Sequence, residues 1–325
     1  LAGFLTLFSY NPPVLDAEQT ELARSRLQAL EQEIVVEYNP GPHAEDPFAR
    51  AMGEVLNELA TLAAPNLRVS QARGADRPSF KVQNVTYLAV PLEREFEPFL
   101  DLLVLLSTRI RPPTTVEAAR IELLIAPTCP NCPRVVAACG QVAATSPQVE
   151  LVVIDVQHFS DLAGSCRSVP TVIIDGTRTV VGPLTSAELT EILAERGQPG
   201  YLTRALGSMI EAGRLAEMVP LLTTEEGHAA LATLMRVGSM QQKMGLMLAV
   251  EQAIEHDQHA LDGALPELLP LLESDDVTVR GDAADLLGKI GAPGARADLT
   301  ALLEDENADV REVAAESLEL LRDPS

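Results

Sequence analysis

The 325-residue chain contains no tryptophan, and aromatic residues make up only 3% of it. Its 46% apolar content permits a sizeable core, which must be built mainly from Leu, Val, Ile and Ala. Such a composition suits helices and buried parallel strands. Positive charge is scarce as well: 24 Lys and Arg face 47 Asp and Glu, for a net charge of −23. Phosphate backbones are bound through clustered Lys and Arg, so the balance argues against nucleic acid as a partner and against an anionic membrane surface. Four cysteines are too few for the disulfide framework of a small secreted scaffold. No apolar run reaches the roughly 20 residues of a membrane-spanning helix. The opening LAGFLTLFSYNPP has no basic flank and no small-residue cleavage pattern, and folded structure is expected there rather than a targeting segment. A reducing cytoplasm is the default compartment.

What is present falls into three parts. In the first, apolar residues recur at helical spacing from Asp16 to Gln32, and IVVEY at 34–38 reads as a strand. A second helix is expected from Asp46, with Asp46 as its cap and Pro47 at its first position. LRVSQ, PSFKVQ and VTYLAV read as strands, with a turn near Asn84, and EREFEPFLDLLVLLS as a helix. The proline-paired stretch 107–120 is expected to be a linker. In the second part, IELLIA at 121–126 is a strand, a helix starts at the cysteines, and VELVVIDV at 149–156 has the apolar run of a strand buried on both faces. TVIIDG and TRTVVG flank an Asp175–Gly176 hairpin turn. The last helix of this part carries a Thr185–Glu188 capping box and a stop at Gly197. That order resembles a thioredoxin fold, and the first part looks like a second copy of it.

The third part, from about Tyr201, is helical. LPLLESDDVTVRGDAADLL from Leu269 aligns with LTALLEDENADVREVAAESL from Leu299, and Arg280 matches Arg311 at a shift of 31 residues. This resembles short HEAT-like repeats. The expected fold class is therefore α/β then all-α: two tandem thioredoxin-like folds followed by a short helical solenoid. The expected boundaries are 1–110, 115–200 and 201–325. GKIGAPG at 288–294 follows a helix rather than a strand, so it is no dinucleotide fingerprint.

The residues with the most chemistry lie in APTCPNCPRVVAAC, from Ala126 to Cys139. If Cys129 caps a helix, Cys132 lies on its first turn, and the two Cα atoms are about 5–6 Å apart, within disulfide reach. Cys139 is about 10 Å further along the axis and too distant to bridge. A sulfur at a helix N-terminus meets unpaired N–H groups that stabilise its thiolate. That suits Cys129 as the attacking sulfur and Cys132 as the resolving one. Pro133 is expected to leave the first turn partly open, by deleting a bond to the Cys129 carbonyl. Structural zinc is a competing reading. It normally takes four ligands, and only His158 lies nearby, with no second C-x-x-C. An inert pair is the third. Cys139 reads as a buried apolar residue. Cys166 reads as a core residue at the start of the third strand, or as a further redox sulfur. His43, His228, His256 and His259 suggest no site.

RIELLIAPTCPNCPRVVAAC, SPQVELVVID and SVPTVIIDG resemble the N-terminal domain of the flavoprotein subunit of alkyl hydroperoxide reductase, itself two fused thioredoxin folds, and the related protein disulfide oxidoreductases. The resemblance covers roughly residues 16–197. It implies that Cys129 and Cys132 are the redox pair. It implies that Pro170 is a cis-proline facing the disulfide and offering backbone to a substrate, and that Glu122 is an acidic proton partner. Pro78 would fill the matching turn of the sulfur-free copy in a structural role. Pro130 stands where the family has His. The relatives continue into a flavin- and NADH-binding reductase, whereas this chain continues into helical repeats, so no cofactor is expected on it.

The reading that follows is a cytoplasmic thiol–disulfide oxidoreductase. It would act on a protein disulfide, a peroxiredoxin among the candidates, and take electrons from a separate flavoprotein reductase. The helical repeats would bind a partner, preferably through a basic patch on it. An adaptor using the same folds only as docking surfaces, and a zinc-stabilised interaction module, are the alternatives.

Overall fold

The computed structural model describes residues 14–108 and 116–321. The opening segment and the centre of the expected linker lie outside the described residues.

In chain order the elements are α1 (Ala17–Leu27), β1 (Ile34–Asn39), α2 (Pro47–Leu62), β2 (Leu67–Gln71), β3 (Ser79–Val82), β4 (Val85–Leu88) and α3 (Phe96–Ser107). There follow β5 (Ala119–Ile125), α4 (Cys132–Thr145), β6 (Val149–Asp155), β7 (Thr171–Ile174), β8 (Arg178–Val181) and α5 (Ser186–Ala194). The sequence β1-α2-β2-β3-β4-α3 is thus repeated as β5-α4-β6-β7-β8-α5. The remaining helices are α6 (Tyr201–Ala212), α7 (Val219–Leu222), α8 (Glu225–Val237), α9 (Met240–His256), α10 (Leu265–Leu268), α11 (Val277–Ile290), α12 (Arg296–Ala301) and α13 (Ala308–Leu320).

The chain clusters into two compact units: one of residues up to Leu162 with Gly182–Ala194, the other of Ala163–Val181 with Glu195 onward. In the first unit the strands run in the order β2-β1-β3-β4-β6-β5. β1–β2 and β5–β6 are parallel pairs, as β-α-β connections require, while β3 runs antiparallel to β1 and β4. The two copies share one sheet because β4 pairs in parallel with β6, from Val85 beside Leu151 to Leu88 beside Ile154. Asn84 secures that seam: its Nδ2 donates to the carbonyls of Ala143 and Val149 at 2.9 and 2.6 Å. β6 is buried along nearly its whole length, as its apolar run predicts.

Aromatics are few, yet they fill the centre of the sulfur-free copy. Phe80 stacks on Tyr87 at 5.0 Å between centroids, and Phe99 meets both edge-on at 5.2 and 5.3 Å. Asp46 caps α2 through Phe48 N–H at 2.8 Å with Pro47 behind it, as expected. α4 lies close to α3, where Gly140 leaves room for Leu102.

The second unit contains the β7–β8 hairpin and the helical repeats. Asp175 (φ 50°) and Gly176 (φ 72°) both take positive φ, the requirement of the tight hairpin turn read from the sequence. Leu206, Leu231, Met235, Leu246, Val250, Leu287 and Leu299 belong to one continuous apolar core. The 31-residue repeat recurs atom for atom. Arg280 Nη1 donates to the carbonyls of Ser274 and Asp275, and Arg311 Nη1 to those of Asp305 and Glu306. Asp276 caps α11 and Asn307 caps α13. Gly291 closes α11 with φ 69°, so GKIGAPG is a helix stop.

The repeats are clamped by an ion pair whose two side chains are both buried: Arg280 Nε lies 2.9 Å from Asp305 Oδ2, and Nη2 3.1 Å from Oδ1. Arg280→Ala strands the Asp305 carboxylate and is expected to lower the urea midpoint of the helical unit, followed by circular dichroism. Arg280→Lys should restore it only in part, because an ammonium lacks the two-pronged fork. Arg24→Ala, which breaks an exposed pair with Glu21, should leave the midpoint in place. Equal effects of Arg24→Ala and Arg280→Ala would contradict the clamp.

Candidate functional site

The candidate site stands at the start of α4. A turn closes first, with Cys129 N–H donating to the Ala126 carbonyl at 3.0 Å. The helix then begins at Cys132, with Asn131 in the capping position. The cap therefore falls two residues beyond Cys129, the position expected from the sequence. Pro133 consequently occupies the second helical position, where an N–H would have no acceptor within the helix, so it removes no bond and opens no turn. Cys132 N–H instead donates to Cys129 Sγ at 3.2 Å. An unpaired donor of the helix start is thus aimed at the first sulfur. Both sulfurs are in the reduced thiol form; Cys132 is fully buried and Cys129 is 7% exposed. Burial raises the Cys132 pKa, and its hydrogen bond with Cys129 raises it further. Cys139, two turns along the same helix, is wholly enclosed, and burial pushes its thiol up to about 12.

Behind the pair lies a carboxyl group that the sequence reading missed. Glu95 precedes α3 and is only 3% exposed, and neither carboxylate oxygen has a hydrogen-bond partner among the described residues. Burial, with the Asp155 charge second, pushes its pKa up to about 7. Its charge also acts on Cys132, raising that thiol. Asp155, at the end of β6, is raised by burial and partly relieved by Gln157 N–H at 2.9 Å. Tyr87 completes the cluster, its hydroxyl buried and unpaired and its pKa raised by burial. A signal for Glu95 was available. It lies four residues before Phe99 and eight before Leu103, in phase with the buried stripe of α3.

The other expected residues are placed as follows. Glu122 on β5 is held by the Arg120 guanidinium at 3.1 Å. Val169–Pro170 is a cis peptide, directly before β7, and the remaining cis bond among the described residues is Ala64–Pro65. Cys166 is half-buried in the segment that precedes β7, not in the strand itself. His158 stacks on Phe48, with ring centroids 3.7 Å apart. Gln157 Nε2 donates to Thr128 Oγ1 at 3.1 Å, which ties that loop to the residue preceding Cys129. Among the described residues no group of three or more His, Cys, Asp or Glu is arranged to hold a metal ion. No described helix is long and apolar enough to cross a membrane.

A dithiol thus lies at a helix start with a buried carboxyl behind it, and comparison with known proteins places the fold. Residues 119–194 match the thioredoxin domain family, and residues 248–319 match HEAT repeats. The chain is 30% identical over 203 residues to a protein named NADH dehydrogenase from Bacillus subtilis (strain 168), spanning 57% of this chain and 38% of that protein. It is 26% identical over 224 residues to an NADH dehydrogenase of Ferdinandcohnia aciditolerans, spanning 64% of this chain and 40% of that one. The chain therefore covers well under half the length of these relatives. Among solved structures, the NTD_N/C domain of alkylhydroperoxide reductase AhpF from Enterococcus faecalis is similar with a TM-score of 0.50 at 20% identity, over 55% of this chain and 99% of that domain. The chain thus carries tandem thioredoxin-like folds followed by HEAT repeats, and the thioredoxin match supports a redox function in general terms.

The buried carboxyl has a thermodynamic signature. Unfolded, Glu95 titrates near 4.5; folded, near about 7. Between those values the folded chain holds the proton more tightly, so stability falls as pH rises through the window, and the loss is complete above about pH 7. The difference corresponds to on the order of 3 kcal/mol. Glu95→Gln carries no charge to bury and is expected to be more stable than wild type in urea at pH 8, with the gap narrowing towards pH 5. A gap independent of pH would contradict the assignment.

Proposed function

We propose that the chain is a thiol–disulfide oxidoreductase that reduces a protein disulfide through Cys129 and Cys132. The observation that carries this is the pair itself: two thiols three residues apart, the second buried near a carboxyl that has no hydrogen-bond partner among the described residues, the first accepting a helix-start N–H. Cys129 Sγ attacks one sulfur of the substrate disulfide, and the other leaves as a thiolate and takes up a proton. Cys132 then gives its proton to the Glu95 carboxylate and attacks Cys129 Sγ. That expels the second substrate sulfur as a thiolate, which takes up the proton held by Glu95, and leaves a Cys129–Cys132 disulfide. An acceptor titrating near about 7 is matched to proton transfer at neutral pH. The part expected of Glu122 passes to Glu95, because the Glu122 carboxylate is already committed to Arg120.

For Pro170 we keep the role implied by the resemblance, offering its backbone to the substrate chain. The two electrons must be returned by a donor, and the relatives named NADH dehydrogenase favour an NADH-linked centre outside the described residues. A separate flavoprotein fits that description, and a peroxiredoxin is one protein disulfide that such a chain would serve. We propose the functional division 1–110, 115–200 and 201–325, with the first segment as scaffold and the last as partner-binding region.

Insulin, whose inter-chain disulfides precipitate a chain on reduction, tests the scheme. Wild type with dithiothreitol is expected to accelerate turbidity, Cys129→Ser to do nothing, and Cys132→Ser to accumulate a mixed disulfide visible as an intermolecular adduct by mass. Glu95→Gln should retain the first attack and slow release about tenfold or more. An adduct formed equally by Cys129→Ser would overturn the order of attack.

A further inference from the structure

The outer face of α9 is an apolar stripe that no described residue covers. Met240, Met244 and Leu248 follow one another at four-residue steps and are 71, 61 and 50% exposed. At about 100° per residue these three lie on one face, and Glu251 and Glu255 continue the same face towards the helix end. The stripe borders the seam between α9 and α11. Lys243 reaches Asp282 across it at 2.8 Å, and Lys289 reaches Glu251 at 2.8 Å and Asp285 at 3.7 Å. The seam's cations are therefore already engaged, and what the face offers outward is apolar surface and carboxylate. Next to it a cavity of about 380 Å³ is lined by Glu251, Ile254, Glu255, Gly288, Lys289 and Leu320, the last itself 58% exposed.

We propose that this face is the docking site of a basic amphipathic helix from a partner protein. From Met240 to Glu255 the face runs about 22 Å, the length of a four-turn helix. Methionine suits such a surface, because an unbranched thioether repacks against differing partners. Charge selects the occupant. Residues 201–325 hold 23 acidic side chains against nine basic ones, so a cationic helix gains where an acidic one is repelled. A second copy of the chain would bring a net charge of −23 against −23, which disfavours self-association through this face. The occupant lays its apolar side on Met240, Met244 and Leu248, its end into the neighbouring cavity, and its Lys or Arg side chains against Glu255 and against the exposed sides of Glu251 and Asp285, which share the one Lys289 ammonium.

The test uses the full chain and a labelled 18-residue peptide with Leu at four-residue steps and Lys elsewhere, read by fluorescence anisotropy. A peptide of the same composition with the leucines scrambled is the control. The ordered peptide is expected to bind at micromolar concentration, more weakly with added salt. Met244→Asp/Leu248→Asp, both at exposed positions, should lose about tenfold or more in affinity with unchanged circular dichroism. Glu255→Lys should lose several-fold. Cys129→Ser/Cys132→Ser should bind as wild type does, so the outcome is separate from the thiol chemistry. Equal binding of the scrambled peptide, or undiminished binding by the double Asp variant, overturns the proposal. So does a chain dimer in sedimentation that the double Asp variant converts to monomer.

Discussion

The site depends on one constraint: a carboxyl group enclosed near a thiol, with no hydrogen-bond partner among the described residues to hold its charge. Water would normally satisfy Glu95, and its removal is what lifts the group to about 7. Burial comes from the apolar face of α3, on which Glu95 lies in phase with Phe99 and Leu103. Glu95 and Tyr87 both belong to the sulfur-free copy, so that copy contributes to the site although it carries no cysteine. Asn84 and the β4–β6 pairing then fix the two copies within one sheet. Loss of register there would move the carboxyl relative to the thiols.

Much of this was legible in the sequence because local rules and tertiary structure agree. The Asp46–Pro47 start of α2, the Asp175–Gly176 turn and the Thr185–Glu188 box each satisfy backbone groups by themselves. The 31-residue shift survives down to paired arginine–carbonyl bonds. Less legible was the start of α4. Two prolines flank a short turn, and only the structure decides that Cys129 N–H closes on Ala126, which delays the helix to Cys132. Glu122 and Glu95 were misweighed for a related reason. Strand position alone does not say that Arg120 captures Glu122, and a string of glutamates at 93, 95 and 97 conceals the single one that points inward.

The helical region follows different physics. Its core is continuous and apolar, its clamp is the buried Arg280–Asp305 pair, and its surface charge is strongly negative. Removing one partner of a buried pair of this kind leaves an uncompensated charge, so the pair ties the two repeats together. Repeats so held present a steady surface, while the thiol site requires groups whose protonation can change. One chain thus combines a candidate thiol site beside a raised carboxyl with an acidic helical region.

The central claim is that Cys129 and Cys132 form a reversible two-electron couple. The most direct test is to equilibrate the full chain in thiol buffers of graded potential and count alkylated cysteines by mass. The account predicts a single transition in which those two sulfurs change together, between about −270 and −120 mV, the span of dithiols in this fold. Cys139 should remain reduced throughout. Alkylation of Cys129 and Cys132 that does not respond to the buffer, or that changes one sulfur at a time, would contradict it.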